Sequence, residues 1–188
     1  MSRVAALVLA AGFSRRFGTD KRRASLLSGE SLLQASLARA RGVFEESWVV
    51  LRGDDPASLA HGCEPVFCSA STLGMGHSLA AGVQAIQQAS NAEAIALLLG
   101  DMPWISTDSL QTLARLAQQD RILLPCHRQQ RGHPVVFGRD FWPALLNCRG
   151  DVGARDVLLQ HASACHRVEL DDPGILRDVD QPADLIAS

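Results

Sequence analysis

The sequence predicts an α/β fold: a mostly parallel sheet with helices on both of its faces. Two uninterrupted apolar runs, Val4–Leu9 and Ala94–Leu99, have the length of strands that are buried on both faces. Segments with helical spacing of apolar residues alternate with strand-like segments along the chain. The 188 residues, of which 47% are hydrophobic and 20% charged, suit a single domain over residues 1–188.

The remaining elements follow from the same patterns. Leu33, Leu37 and Ala40 form an apolar stripe on a predicted helix over residues 31–40, and Ser106 or Thr107 can cap a later helix. Further strands are predicted at residues 48–51, 65–68, 121–124, 134–137 and 166–170, and further helices at residues 75–89, 152–160 and 182–187. In such a sheet, ligands bind beyond the carboxyl ends of the strands.

Composition excludes several classes of function. The formal net charge of −2 provides no general attraction to nucleic acid or to an anionic membrane, and we predict neither as a partner. The five cysteines are irregularly spaced without a CxxC pair, which indicates reduced thiols rather than a disulfide framework or a zinc ribbon. We therefore expect a cytoplasmic protein.

A loop rich in small and basic residues follows the first strand. Ala10, Ala11 and Gly12 allow backbone amides to approach a ligand, and Arg15, Arg16 and Lys21 add positive charge. Together they suit a triphosphate. The GxGxxG and GxxxxGK[ST] fingerprints are absent. A flexible turn with solvated arginines is the alternative, but the position directly after a buried strand favours a ligand site.

Two acidic segments are candidates for a metal site. Asp101 follows the second buried strand, where a carboxylate points into the ligand crevice, and Mg²⁺ takes one or two carboxylates together with phosphates. A turn or helix-capping aspartate is the alternative. The second segment, residues 178–185, also has the composition of a helix start, with Pro182 in its first turn.

Three further segments are candidates for binding the base and the acceptor. Gly76 and Ser78 begin a predicted helix, where they suit either contact with a nucleotide or a plain capping turn. His133 begins a predicted strand. Asp151 and Arg155 lie at a predicted helix N-terminus, a suitable place for a phosphate or a pterin.

The loop pattern LAAGxSxRxGxxK resembles the signature of the sugar-nucleotide and cofactor nucleotidyltransferases, and most of all the molybdenum cofactor group. This resemblance implies a Rossmann-like three-layer αβα sandwich of the nucleotide-diphospho-sugar transferase type. It implies that Arg15 contacts phosphate and that Lys21, or Arg22 in a shifted register, contacts the α-phosphate. It further implies that base and phosphates are held by Leu9, Ala10, Ala11, Gly12, Ser14, Gly18, Gly76 and Ser78.

The same resemblance extends to the later motifs. Gly100-Asp101-Met102-Pro103 matches the metal-binding motif, and residues 178–185 resemble DxDTPxDL with Gln181 in place of threonine, so Asp101 and Asp180 are the implied Mg²⁺ ligands. The GHPVVF and GDxGAR segments imply acceptor contacts at His133, Asp151 and Arg155.

We therefore predict a Mg²⁺-dependent transfer of CMP from CTP to the terminal phosphate of molybdopterin, with release of pyrophosphate and with Arg15, Lys21 and Asp101 as catalytic residues. The molybdenum cofactor group has a cytidylyl and a guanylyl branch. The resemblance favours CTP over GTP, because Ala11 stands where the guanylyl branch more often has a second glycine. Molybdoenzymes or their chaperones are the expected protein partners. The alternatives are guanylyl transfer, a sugar or polyol phosphate acceptor, and a non-catalytic nucleotide-binding module.

Overall fold

The structure, a computed structural model, describes residues 2–14 and 16–185. Within these residues, eight strands form one sheet in the order β3-β2-β1-β4-β7-β5-β6, and β8 also pairs with β5. The strands are β1 (Val4–Leu9), β2 (Glu46–Arg52), β3 (Glu64–Cys68), β4 (Ala94–Leu99), β5 (Ile122–His127), β6 (Gln130–Arg131), β7 (Val135–Gly138) and β8 (Cys165–Glu169).

Five α-helices cover the two faces of the sheet: α1 (Leu32–Arg41), α2 (Met75–Ala89), α3 (Thr107–Leu116), α4 (Trp142–Leu146) and α5 (Arg155–Gln160), counted over the described residues. Side chains of α1 and α3 pack into one hydrophobic core, with the even-numbered residues of β1. Side chains of α2, α4 and α5 pack into a second core, with the odd-numbered residues of β1. This alternation confirms the three-layer αβα sandwich.

Most of the sheet is parallel, as predicted. β1 runs parallel to β2 and β4, β2 to β3, and β5 to β8. β7 is inserted between β4 and β5 and runs antiparallel to both, and β6 is antiparallel to β5. The sheet is therefore mixed on the side of β7 and parallel where β1 and β4 lie next to each other.

The predicted elements are present, with differences at their ends. β1, α2 and β4 have the predicted bounds, and Ser106 caps α3 by accepting a hydrogen bond from the Ser109 amide. Helix α5 begins at Arg155 rather than at residue 152, because Gly153 has a φ of 60° and interrupts the helical turn before it. The predicted terminal helix is a 3₁₀ helix, Pro182–Leu185, and residues 186–187 lie outside the described residues.

The fold brings the ends of β1 and β4 together. Leu9 is the register partner of Leu99, and the Gly100 amide donates to the Leu9 carbonyl at 3.0 Å. The loops that follow these two strands therefore meet at one edge of the sheet.

The five cysteines are free thiols, as expected. Among the described residues, no helix has both the length and the apolar character needed to span a membrane.

Candidate active site

A cavity of about 610 Å³ opens beyond the carboxyl ends of β1 and β4. Its walls come from the loop after β1, the start of α2, the segment after β4 and the acidic segment near residue 180. Most of the residues predicted for the nucleotide and the metal line it: Leu9, Ala10, Ala11, Gly12, Ser14, Lys21, Ser78, Asp101 and Asp180. The structure thus collects residues from both ends of the chain at a single site.

The loop after β1 lies along one wall of this cavity. Ala10 and Ala11 are buried, and the Ser14 hydroxyl is buried without a hydrogen-bond partner. Ser14 has a φ of 51°, a left-handed conformation that is uncommon for a residue other than glycine. Gly18, with a φ of 84°, forms the turn further along and does not line the cavity. Arg15 lies outside the described residues.

Lys21 is placed between the two predicted metal ligands. Its ammonium nitrogen lies 2.7 Å from Asp101 Oδ2, 2.7 Å from the Val179 carbonyl oxygen and 3.7 Å from Asp180 Oδ1. With 17% of its side chain exposed, Lys21 faces the cavity rather than bulk solvent. Among the described residues, Lys21 thus presents a cationic group to the cavity where a phosphate can contact it.

Arg22, the alternative to Lys21, also borders the first cavity but has different surroundings. It is 4% exposed, and its guanidinium donates to both carboxylate oxygens of Asp20 and both of Asp55. Burial lowers the pKa of Arg22, but the hydrogen bonds to the two carboxylates outweigh that effect and raise it. The same bonds outweigh burial in Asp55 and hold the pKa of that carboxyl below 3.8. Arg22 is therefore a charged, fully paired group.

The carboxylates at the site fit a divalent cation. Asp101 Oδ1 is buried without a hydrogen-bond partner, so one hard oxygen is left for a further ligand. Asp180 is partly exposed beside it, and Arg16 Nη1 lies 2.5 Å from its Oδ2. In the part of the chain that the structure describes, no three His, Cys, Asp or Glu side chains come together as a metal site. Two carboxylates completed by phosphate oxygens match the usual ligand set of Mg²⁺.

A second cavity of about 660 Å³ adjoins the first, and Leu9, Met75 and Leu99 border both. Its floor is largely apolar and comes from β4, β5 and β7. Its polar lining includes Arg131, His133, Arg155 and Arg167. The size and position of this cavity suit an acceptor that lies next to a bound nucleotide.

His133 is a polar group on the wall of the second cavity. Burial lowers the pKa of its imidazole, and this outweighs the opposite effects of a hydrogen bond with the Leu97 backbone and of the charges on Asp101 and Asp178. The ring is therefore neutral at pH 7. Its Nδ1 is buried without a hydrogen-bond partner. A neutral imidazole can accept or donate a single hydrogen bond there, depending on its tautomer.

The other predicted residues divide between the cavities. Arg155 lines the second cavity, whereas Asp151, predicted with it for the acceptor, lines the first. Gly76 lines neither. A Cβ atom on Gly76 would lie 2.7 Å from the backbone of Arg149, so this glycine allows the segment before α5 to pack against α2. Ser78 is buried at the first cavity.

Sequence reasoning missed several residues of the site. Asp178, Ser71 and Thr72 line the first cavity without having been singled out. Asp55 was also missed, although it follows the carboxyl end of β2, where a polar residue deserves the same consideration as Asp101. That position was the available signal.

Comparison with known proteins identifies the family. The family model described as the MobA-like NTP transferase domain matches residues 6–165. The chain belongs to the MobA-like NTP transferase family. This MobA-like protein is 32% identical over 187 residues to the purine catabolism protein PucB of Bacillus subtilis, a match that covers 93% of this chain and 90% of PucB. It is a nucleotidyltransferase-type enzyme.

Solved structures agree with this MobA-like assignment. The homologue of Mycobacterium tuberculosis Rv0371c from Mycobacterium sp. strain JC1 is 29% identical with a TM-score of 0.79, over 97% of this chain and 92% of that chain. Rv0371c of M. tuberculosis H37Rv in complex with manganese is 23% identical with a TM-score of 0.79, over 100% of both chains. The second likeness shows the fold alone.

Proposed function

We propose that this MobA-like protein transfers CMP from CTP to the terminal phosphate of a pterin-type molybdenum cofactor and releases pyrophosphate. The observation that carries this proposal is the placement of Lys21 between Asp101 and Asp180, inside a cavity at the carboxyl edge of β1 and β4. The ammonium group of Lys21, held between two carboxylates and beside the backbone amides of the loop after β1, is part of an arrangement that can receive a triphosphate.

The reaction needs positioning and charge neutralisation more than proton transfer. An oxygen of the acceptor phosphate attacks the α-phosphorus, a new P–O bond forms, and the bond from the α-phosphorus to the bridging oxygen of pyrophosphate breaks. The attacking phosphate is already anionic at neutral pH, so no strong general base is required. Lys21 stabilises negative charge on the α-phosphate, and Arg16 lies at the cavity wall for the leaving pyrophosphate.

A divalent cation completes the charge neutralisation. Asp101 and Asp180 would hold Mg²⁺, which supplies positive charge at the phosphate oxygens when it is bound. The unpartnered Oδ1 of Asp101 supports this assignment. The carboxylates are ion-paired with Lys21 and Arg16 in the structure, so these two side chains exchange a carboxylate for phosphate when nucleotide binds. Rv0371c, with the same fold, has been solved with manganese.

The lining of the second cavity favours the flat pterin over a sugar phosphate as the acceptor. Its floor is made of Leu97, Leu124, Val135 and Phe137, which favour a flat, partly apolar body over a polyol. His133 adds one directional hydrogen bond, and Arg155 is placed for an anionic group. An interaction with molybdoenzymes or with their chaperones stays a prediction.

A screen of pyrophosphate release tests the proposal. CTP, GTP, ATP and UTP are each incubated with molybdopterin cofactor, with a sugar phosphate or with neither acceptor, in Mg²⁺ and in EDTA. We expect release with CTP, cofactor and Mg²⁺ together. Release with GTP and cofactor would move the proposal to guanylyl transfer, and release with a sugar phosphate alone would overturn the pterin acceptor. Calorimetric binding without turnover of any nucleotide would favour a non-catalytic module.

A variant links the activity to this site. Asp101→Asn keeps the size of the side chain and removes its charge, and we expect Mg²⁺-dependent release to be lost while the protein stays folded. Asp120→Asn is the matched control, because the Asp120 side chain is 71% exposed and does not line the cavity. Full activity of Asp101→Asn would remove Asp101 from the mechanism.

A further inference from the structure

A cluster of charged side chains around the buried Arg22 lies behind the loop that follows β1. We call it the Asp55 cluster; it consists of Asp20, Arg22, Arg52 and Asp55. The centre of the cluster is Arg22, all of whose guanidinium nitrogens donate to acceptors on the protein. Nε and Nη2 donate to Asp20 at 2.8 Å, and Nη1 and Nη2 donate to Asp55 at 2.5 and 2.8 Å. Such a saturated, planar arrangement holds its partners in one geometry.

The cluster also binds the backbone of the loop at two points. Arg22 Nη1 donates to the carbonyl oxygen of Ala10 at 3.0 Å. Arg52 Nη2 donates to the carbonyl oxygen of Gly12, and its guanidinium carbon lies 4.5 Å from the centre of the Phe13 ring. Asp55 joins these two contacts, because its carboxylate accepts from Arg22 and also from the Arg52 backbone amide at 2.8 Å.

These two contacts fix the direction of two amides. In a planar trans peptide, the N–H group points opposite to the carbonyl of the same peptide unit. The Ala10 carbonyl points to Arg22, so the Ala11 amide points away from Arg22. The Gly12 carbonyl points to Arg52, so the Phe13 amide points away from Arg52.

Neither amide has a hydrogen-bond acceptor among the described residues, although Ala11 is only 4% exposed. A buried amide without an acceptor is uncommon in a folded protein. The Ser14 hydroxyl, buried and also unpartnered, lies on the same cavity wall as Ala11 and Phe13. The buried donors at Ala11 and Ser14, on the same wall as the half-exposed Phe13, indicate that a ligand with several acceptor oxygens belongs there.

We propose that Asp55 is a positioning residue, which acts through Arg22 and Arg52 to present the amides of Ala11 and Phe13 to the phosphates of the nucleotide. This inference rests on the proposed function of the loop as the triphosphate site. Asp55 comes from the segment after β2 and lines neither cavity. Its contribution is to orient a loop that begins with Ala10, Ala11 and Gly12, whose side chains are too small to fix the conformation of the loop by themselves.

The test compares Asp55→Asn with Asp54→Asn, a matched control that removes the same charge from the exposed neighbouring residue. Calorimetry measures binding of inorganic tripolyphosphate and of CTP, and chemical-shift titration measures binding of cytidine, which has no phosphate. We expect the Kd for tripolyphosphate and CTP to rise about tenfold or more in Asp55→Asn, as for loss of hydrogen bonds to a charged group. The affinity for cytidine should stay unchanged.

A purely structural role for Asp55 would weaken the binding of cytidine and tripolyphosphate together, so this pattern distinguishes the two roles. If Asp55→Asn does not fold, Arg52→Lys provides the test, because it keeps the charge and removes the planar donor group at the Gly12 carbonyl. An unchanged Kd for tripolyphosphate in the folded variant would overturn the proposal.

The result also separates this inference from the proposed function. A wild-type protein that turns over CTP, together with an Asp55→Asn variant that binds tripolyphosphate equally well, overturns the inference alone. A wild-type protein that turns over no nucleotide but loses tripolyphosphate affinity on Asp55→Asn overturns the proposed activity and supports the inference. A wild-type protein that binds neither CTP nor tripolyphosphate overturns both.

Discussion

Replacement of Lys21 by Met removes the ammonium group from the centre of the site and keeps most of the aliphatic side chain. The group forms hydrogen bonds of 2.7 Å to Asp101 Oδ2 and to the Val179 carbonyl oxygen. A fixed donor of this kind, aimed at charge that develops in the transition state, lowers the barrier by about 3–4 kcal/mol. We therefore expect kcat to fall by about 10²–10³ in Lys21→Met.

The assay is the initial rate of pyrophosphate release at saturating nucleotide and acceptor, which reports kcat. Arg23→Met is the matched control, since Arg23 lies in the same short turn with 60% of its side chain exposed, 3.8 Å from Asp20. We expect this control to stay within about twofold of the wild-type rate, as for a surface substitution.

The Lys21→Met variant should remain folded in Mg²⁺, because the bound cation replaces the positive charge that the ammonium group provided beside the two carboxylates. In EDTA its free energy of unfolding should fall by about 1–3 kcal/mol, since Asp101 keeps a partly buried charge without its partner. A kcat for Lys21→Met within about threefold of wild type would refute the role of Lys21 at the α-phosphate.

Three other substitutions test the packing around the site. Gly82→Ala should lower the free energy of unfolding by about 1–2 kcal/mol, because its Cβ would lie 2.6 Å from Leu7 Cδ1 and the helix propensity of alanine offsets this only in part. Gly76→Ala would place a Cβ 2.7 Å from the Arg149 backbone and should raise KM for the acceptor more than KM for the nucleotide. Asp172→Asn should make the free energy of unfolding fall less steeply in acid. Burial raises the pKa of the Asp172 carboxyl, but hydrogen bonds outweigh this effect and hold the pKa below 3.8 in the folded protein. The stability that the carboxylate contributes is present above that value and is lost as pH falls through the folded-state pKa.

Each of these substitutions has an outcome that would contradict the reasoning. Urea unfolding that finds Gly82→Ala as stable as wild type would show that α2 can move away from the sheet without cost. Equal changes in both KM values for Gly76→Ala would show that the segment before α5 serves the two cavities alike. Parallel curves of stability against pH for Asp172→Asn and wild type, measured from pH 6 to about pH 2.5, would remove Asp172 as a source of acid sensitivity.

Local sequence patterns predicted the bounds of β1 and α2 and the capping residue of α3. The apolar run of β1 and the helical stripe of α2 are continuous, and capping by Ser106 depends on residues that are neighbours in sequence. The antiparallel direction of β7 could not be predicted from such patterns. A strand of four residues carries no directional signal, and its place between β4 and β5 depends on pairings with distant parts of the chain.

Part of the lining of the candidate site was predictable in the same way. Asp101 and the loop after β1 could be found because each follows a buried strand, where ligands bind. The sequence left the α-phosphate contact open between Lys21 and Arg22, since both are basic and adjacent. The structure distinguishes their surroundings through Asp55, which lies 33 residues from Arg22 in the chain and pairs with it in the fold. Such a pairing has no local signature.

Two hydrogen bonds hold the segment that contains Asp180 at the site: the Val179 amide donates to the Asp101 carbonyl, and the Lys21 ammonium donates to the Val179 carbonyl. The position of Asp180 in the site therefore depends on contacts with parts of the chain that are distant in sequence. A chain cut before residue 178 keeps the residues of β1 and of the loop after it but lacks Asp180, one of the two proposed metal ligands. We expect such a chain, where it folds, to bind nucleotide at the loop without turning it over.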